Sequence, residues 1–178
     1  MKDQVIFRYI PVTLLALVIS LLAMSKSKEV PFLRDGVSFS VAPGWKVTAN
    51  DSIGDNAYYF STERTGNGST GLITIDWVNK VDDPLKVIHL HQKSMKSANI
   101  YRNPGIEFTL VDSCNFAGHK VKTCKYITFV REQKIEGTIY CLNAAQKTIT
   151  IFFQTGLADK KLNLKGFELF QQTFNCRE

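Results

Sequence analysis

Closely spaced metal ligands and clustered basic residues are both missing from this sequence. It has four cysteines and three histidines, and it contains no Cys-x-x-Cys pair. Structural zinc sites take closely spaced cysteine and histidine ligands, so we predict no metal site and no cofactor. Lysines and arginines are scattered rather than clustered among aromatic residues, although the net charge is +6. We therefore expect no nucleic-acid partner.

The sequence also lacks a recognisable catalytic constellation. No serine, threonine or cysteine stands in a nucleophile-elbow phrase, and no acidic pair is placed for general acid and base work. Residues 66–71 have the spacing of a dinucleotide-binding glycine loop, but such a loop must open a helix, and residues 72–78 alternate like a strand. His89 and His91 point about 200° apart on a helix and cannot share a metal there. We predict that the protein is not an enzyme.

Only one long apolar run is present, and it lies near the N-terminus. Basic residues precede the apolar residues 11–24, and Ala23 and Ser25 offer the small side chains that signal peptidase prefers. We interpret residues 1–25 as a signal peptide cleaved near Ser25, which implies an exported, periplasmic or secreted protein. The alternative is an uncleaved anchor at residues 5–24, through which the protein would contact the membrane. Because no cysteine follows the run, a bacterial lipid anchor is excluded.

All four cysteines follow the export segment, so an oxidising compartment would allow them to pair. Cys114 and Cys124 flank a predicted hairpin turn near residues 117–118, and we expect them to face each other. That pairing leaves Cys141 for Cys176. The alternative joins Cys124 to Cys141, which flank the next predicted turn, and leaves Cys114 for Cys176.

The C-terminal half predicts an antiparallel meander. Four short runs rich in Thr, Val, Ile, Phe and Tyr are separated by turn residues, with no room for crossover helices. These runs are residues 106–110, 122–130, 137–142 and 148–153. The N-terminal half adds strands at residues 36–41, 57–60 and 72–78 and a strand from Trp45, which the Pro43-Gly44 turn would join to residues 36–41 as a hairpin.

Two helices accompany the predicted strands. Asp83 before Pro84 is a typical helix start, because the aspartate caps free amides and proline fits the first position, and this helix runs to about residue 98. A second helix is predicted from about residue 159 to residue 173. Its expected inward residues are Leu162, Phe170 and Phe174, with Phe167 beside them.

This order of elements resembles the Mog1/PsbP-like superfamily, and within it the DcrB-type or DUF1795-type exported bacterial proteins. The phrase from Gly36 to Trp45 opens the resemblance, and Gly166-Phe167 and Thr173-Phe174 close it. It implies one α+β domain at residues 34–178, after a linker at residues 26–33. The domain would hold an antiparallel sheet of about six to eight strands flanked by two α-helices. The superfamily's known members are mostly non-enzymatic binding, chaperone or assembly factors.

We therefore expect an exported assembly or binding factor that docks an envelope protein. Its docking surface would be one sheet face or the basic side of the first helix, at Lys86, Lys93 and Lys96. The alternative is a carrier of a small ligand or lipid, which would use the surplus aromatic residues. Candidates for that surface are Trp45, Trp77 and Tyr101. An unrecognised hydrolase is a third hypothesis. A docking module should show an open patch, a carrier an enclosed apolar cavity, and an enzyme a cleft with convergent polar groups.

Overall fold

The computed structural model describes residues 28–98, 105–130 and 132–177. They form strands and two helices in the order β1 (Val30–Arg34), β2 (Val37–Val41), β3 (Trp45–Ile53), β4 (Ala57–Arg64), β5 (Leu72–Val78), α1 (Pro84–Ser97), β6 (Ile106–Phe108), β7 (Asp112–Phe116), β8 (His119–Val130), β9 (Gln133–Ala144), β10 (Lys147–Gly156), α2 (Lys160–Thr173) and β11 (Asn175–Cys176).

The strands make two antiparallel sheets. The large sheet has eight strands in the order β3-β4-β5-β10-β9-β8-β6, with β7 also pairing with β8. The small sheet has three strands in the order β1-β2-β11. The predicted α+β class, with an antiparallel sheet flanked by two helices, is confirmed.

Each face of the large sheet packs against different partners. One face, here called the α2 face, buries aromatic and branched side chains against α2 and the small sheet, including Phe60, Ile75 and Trp77. Phe32 of β1 reaches this core and stacks on Phe39 with ring centroids 4.5 Å apart. The opposite face, here called the α1 face, packs against Ile88 of α1. Strand alternation sends successive side chains to opposite faces, so both faces acquire apolar cover.

The start of α1 follows directly from local chemistry. The Asp83 carboxylate accepts a hydrogen bond from the Leu85 amide at 2.9 Å, and Pro84 occupies the first helical position. Ile88 is fully buried, whereas Leu85 and Leu90 are exposed. Within the described part of the chain, no helix is long and apolar enough to cross a membrane.

Several local expectations were wrong. Residues 30–33 were expected to end a linker but belong to β1, because Phe32 and pairing with β2 draw them into the small sheet. β2 and β3 do not form a hairpin, since β2 pairs with β1 and β11 while β3 pairs with β4 in the large sheet. Leu162 is exposed, and Asn163 takes the inward position on α2.

Candidate functional site

A groove of about 590 Å³ lies between α2 and the α2 face of the large sheet. Strands β8, β9 and β10 supply its floor, and one side of α2 supplies its wall through Lys160, Leu164, Phe167 and Gln171. The opposite side of α2 faces Trp45 at Gly166. The groove therefore runs along the side of α2 that points toward the C-terminal meander.

Aromatic rings form the base of this groove. Phe153 of β10 and Phe167 of α2 stack with ring centroids 4.7 Å apart, and Tyr140 of β9 meets Phe153 edge-on at 5.6 Å. Burial raises the pKa of the Tyr140 phenol, so Tyr140 stays neutral across the physiological range. Thr138 and Thr155 are the small polar groups beside these rings. Such a base suits an apolar side chain or ring with few polar requirements.

Charged side chains of both signs surround the aromatic base. Lys160 of α2 pairs with Glu136 of β9 at 2.7 Å across the groove. Glu107, Lys125 and Glu168 also line it. Two apolar side chains, Ile127 and Leu164, are both lining residues and exposed to solvent. The described lining contains no histidine, cysteine or serine.

A largely buried polar network fixes α2 beside the groove. Arg64 of β4 contacts Asp159 at 2.5 Å and Asn163 at 2.5 Å, and Asp159 also accepts a hydrogen bond from the Thr70 amide at 2.9 Å. Burial alone would raise the pKa of Asp159, but hydrogen bonds from Thr70, Arg64 and Asn163 outweigh it and hold that pKa below its usual value. The network therefore ties α2 to the end of β4 and to the loop at residues 65–71.

A second polar group lies on the α1 face. Asp76 of β5, Thr150 of β10 and Cys141 of β9 are opposite one another on neighbouring strands. Burial raises the pKa of Asp76 to about 7, although Thr150 donates a hydrogen bond to it. Burial raises the pKa of the Cys141 thiol to about 12, with the charges of Asp76 and Asp83 adding to the effect. A thiol held protonated in this way is a poor nucleophile.

The histidines of α1 do not come together. His89 is exposed and contacts Gln92 at 3.0 Å, whereas His91 packs edge-on against Phe152 at 5.0 Å. Burial lowers the pKa of His91, which favours the neutral ring. Across the part of the chain that the structure describes, no three His, Cys, Asp or Glu side chains are grouped closely enough to hold a metal ion.

Neither of the two described aromatic candidates for a ligand surface lines the groove. Trp77 is fully buried in the core, where it stacks on Tyr58 at 4.6 Å. Trp45 is half-buried and packs against Phe167 at 5.8 Å, on the side of α2 away from the groove. Tyr101 lies outside the described residues. The expectation for Trp77 was wrong because its strand alternation directs the indole inward rather than to a surface.

The basic candidates lie together on α1. Lys86, Lys93 and Lys96 are all exposed, and α1 carries no acidic residue. The Lys96 ammonium sits 5.8 Å from the ring centre of Phe108. The described geometry is therefore compatible with a basic docking face, separate from the groove.

The expected facing of Cys114 and Cys124 is not found. All four cysteines carry free thiols, and Cys114 is opposite Val121 on the α2 face. Cys124 and Cys141 lie on the α1 face, and Cys176 belongs to the core of the α2 face. In the first pairing, each bond would have to join a cysteine on one face of the sheet to a cysteine on the other face. In the alternative pairing, Cys124 and Cys141 share the α1 face, and Cys114 and Cys176 share the α2 face.

Sequence reasoning missed the residues that build the groove. Tyr140, Phe153 and Phe167 lie on three different elements, and their meeting depends on where α2 packs. The adjacent rings of Phe152 and Phe153 were a partial signal, because neighbouring strand residues must point to opposite faces. Asn163 was also identifiable as a polar residue in the apolar stripe of α2.

No protein-family model matches the sequence, and no curated protein matches it. Several solved structures have a similar fold. One is LpqN of Mycobacterium tuberculosis, described as involved in cell envelope biogenesis, with a TM-score of 0.54 and 10% identity over 85% of this chain and 91% of LpqN. Cyanobacterial PsbP (CyanoP) of Synechocystis sp. PCC 6803 has a TM-score of 0.57 and 11% identity over 86% of this chain and 95% of CyanoP.

A third similar structure is a protein from Bacteroides thetaiotaomicron, with a TM-score of 0.52 and 12% identity. The match covers 86% of this chain and 49% of the Bacteroides chain. At these identities the likeness concerns the fold alone. The chain therefore has a PsbP-like α+β fold, as the resemblance at residues 36–45 implied.

Proposed function

We propose that this protein is a non-enzymatic factor of the cell envelope that docks a polypeptide segment of a partner protein in the groove beside α2. The groove itself carries the proposal, because it combines an aromatic base with charged walls and an open mouth. Open grooves that combine apolar anchors and polar rims are typical of protein docking sites. An enclosed cavity would instead favour a carrier.

The groove also suggests how a partner would be held. An apolar side chain of the partner would lie against the exposed Ile127 and Leu164, above the largely buried rings of Phe153 and Phe167. The partner's flanking groups would meet Lys160 and Glu136, whose existing ion pair sets the local charge pattern. Charges at such a rim mainly select the partner and orient it.

The envelope location rests on separate support. The N-terminal segment has the composition of an export signal, and LpqN, which shares the fold, is described as involved in cell envelope biogenesis. We propose export through residues 1–25, with anchoring by residues 5–24 as the alternative. We also propose the narrower assignment to the DcrB-type exported proteins, which rests on the sequence resemblance described above.

Quantitative capture tests the groove. Full-length protein is used as bait in detergent-solubilised envelope extract, and bound proteins are measured by mass spectrometry. Leu164→Glu places a charge at the groove wall, and Leu162→Glu is the matched control on the same helix but outside the lining. We expect Leu164→Glu to lose the captured partner about tenfold or more, because loss of an anchor contact costs about 2 kcal/mol or more. Equal capture by the two variants would contradict groove docking.

The basic face of α1 is a competing docking surface within the same function. Reversing Lys86, Lys93 and Lys96 together to Glu should leave capture unchanged if the partner occupies the groove. If this variant loses the captured partner while Leu164→Glu still captures it, the docking site lies on α1 rather than in the groove. Lipid or a small molecule recovered with the bait in place of a protein would favour the carrier.

A further inference from the structure

Arg64 of β4 holds two residues at the start of α2 that lie one helical turn apart. Its Nη2 atom contacts the Asp159 carboxylate at 2.5 Å, and its Nε atom donates a hydrogen bond to the Asn163 side-chain oxygen at 2.5 Å. Residues four positions apart are neighbours on the same side of a helix. Because the guanidinium is planar and presents its donors in a rigid fork, it fixes both the rotation of α2 and its position along the helix axis.

The two polar residues face inward rather than serving the helix itself. Asp159 is the N-cap residue of α2, but its carboxylate makes no capping hydrogen bond and instead accepts hydrogen bonds from the amide and hydroxyl of Thr70. Asn163 is fully buried, and its side-chain amide donates a hydrogen bond at 2.8 Å to the hydroxyl of Thr155, a lining residue of the groove. A polar residue buried in the apolar stripe of a helix can specify one register of packing. These bonds therefore determine where α2 lies on the sheet.

This anchorage holds α2 from the side opposite the groove. Arg64 belongs to β4, whereas β8, β9 and β10 form the floor of the groove, and β5 separates β4 from β10. The contact on the β4 side is tight, since a Cβ added at Gly71 would lie 2.4 Å from the Asn163 side-chain oxygen. α2 is therefore held toward β4, which leaves space beside it over β8 and β9.

Apolar side chains on the groove side favour the opposite movement. Leu164 on the wall is 50% exposed, and Ile127 on the floor is 38% exposed. A shift of α2 toward β8 would bury both, and burial of apolar surface is favourable. The ion pair between Lys160 and Glu136 also crosses the groove, but its side chains are 58% and 29% exposed, and exposed pairs contribute little. The contacts of Arg64 are left to oppose such a shift.

We propose that Arg64, Asp159 and Asn163 are positioning residues that keep α2 on the β4 side of the sheet and so hold the groove open. Without the guanidinium, the two polar side chains of α2 lose their shared partner, and a buried polar group without a partner is costly. α2 would then move toward β8, where Leu164 covers Ile127. The use of an open groove rests on the proposed docking function, whereas the position of α2 does not depend on any partner.

Thiol labelling at position 164 measures whether the groove is open. Leu164→Cys in the full-length protein keeps a small apolar side chain on the wall and adds a reactive group. The protein is treated with a bulky maleimide, and peptide mapping compares the labelling rate at position 164 with that of the exposed Cys114 in the same molecule. The other three native cysteines are buried, so the folded protein protects them.

Three variants are compared in this background. Arg64→Met removes the guanidinium and keeps an apolar stem. Arg64→Lys keeps a charge for Asp159 but lacks the fork that also reaches Asn163. Ile88→Ala weakens the core of the α1 face and is the control for lost stability alone.

We expect Arg64→Met to slow labelling at position 164 relative to Cys114 about tenfold, because the open position of α2 becomes the minor one. Arg64→Lys should slow it less, and Ile88→Ala should leave the ratio unchanged. A ratio that stays the same or rises in both Arg64 variants would overturn the proposal, and Arg64→Lys alone decides if Arg64→Met does not fold. Slower labelling with undiminished capture of the partner would uphold the positioning role and contradict docking in the groove.

Discussion

Asp76 provides a sharp test of the packing on the α1 face. Its pKa is about 7 in the folded protein because burial disfavours the charged carboxylate, against 3.8 for an ordinary aspartate. The folded state therefore binds a proton that the unfolded state has already released between about pH 4 and pH 7. Stability should fall as the pH rises through this window and then level off above it.

The size of this effect follows from the pKa difference. A difference from 3.8 to about 7 corresponds to roughly 4 kcal/mol, and we expect about 2 to 4 kcal/mol because solvent reaches part of the side chain. Asp76→Asn keeps the shape and cannot ionise. It should match the unmodified protein near pH 4 and exceed its free energy of unfolding by that amount at pH 8.

Urea unfolding at several pH values measures the difference directly. Asp55→Asn, in the exposed turn between β3 and β4, removes the same charge without a buried site and serves as the control. We expect Asp55→Asn to retain the decline in stability and Asp76→Asn to lose it. A decline of the same size in both variants would refute the reasoning about Asp76.

Three further predictions concern the core and the cysteines. Asp159→Asn should lower the free energy of unfolding by about 3 kcal/mol at pH 7, because it breaks the ion pair with Arg64. The difference should shrink at low pH, where Asp159 of the unmodified protein becomes protonated. An unchanged urea midpoint at pH 7 would contradict this prediction. Gly137→Ala should cost about 1 to 3 kcal/mol by thermal unfolding, since the new Cβ would lie 2.1 Å from the Tyr126 ring, and unaltered stability would contradict that packing. Mild oxidation should leave Cys124 and Cys141 unjoined, because the register places Cys124 opposite Ile139 and Cys141 opposite Lys122, and diagonal neighbours about 7 to 8 Å apart are too distant for a disulfide. Peptide mapping that finds Cys124 joined to Cys141 would contradict this register.

Local chemistry made parts of the fold predictable. Asp83 and Pro84 predict the start of α1 because the capping and dihedral requirements are met within two residues. The alternation of side chains along residues 72–78 predicts β5, because successive side chains of a strand point to opposite faces and one of those faces is the more buried. The glycine-rich residues 66–71 precede this strand, as expected.

Other features depend on contacts between distant segments. β1 is short, and its neighbours in the sequence are mostly polar. It becomes a strand because Phe32 packs against the rings of Phe39 and Phe60. The groove depends on the position of α2, which the ion pair between Arg64 and Asp159 helps to fix across 95 positions of sequence. Neither the partner of Phe32 nor that of Arg64 can be identified from local spacing.

Site-specific photo-crosslinking tests the docking groove most directly. A photoreactive amino acid is placed at Thr138, beside the aromatic base, and separately at Leu110, which is 92% exposed and outside the groove lining. After irradiation of the full-length protein in envelope extract, we predict one protein covalently joined at position 138 and not at position 110. Failure to crosslink any protein at position 138, or the same products at both positions, would contradict docking in the groove.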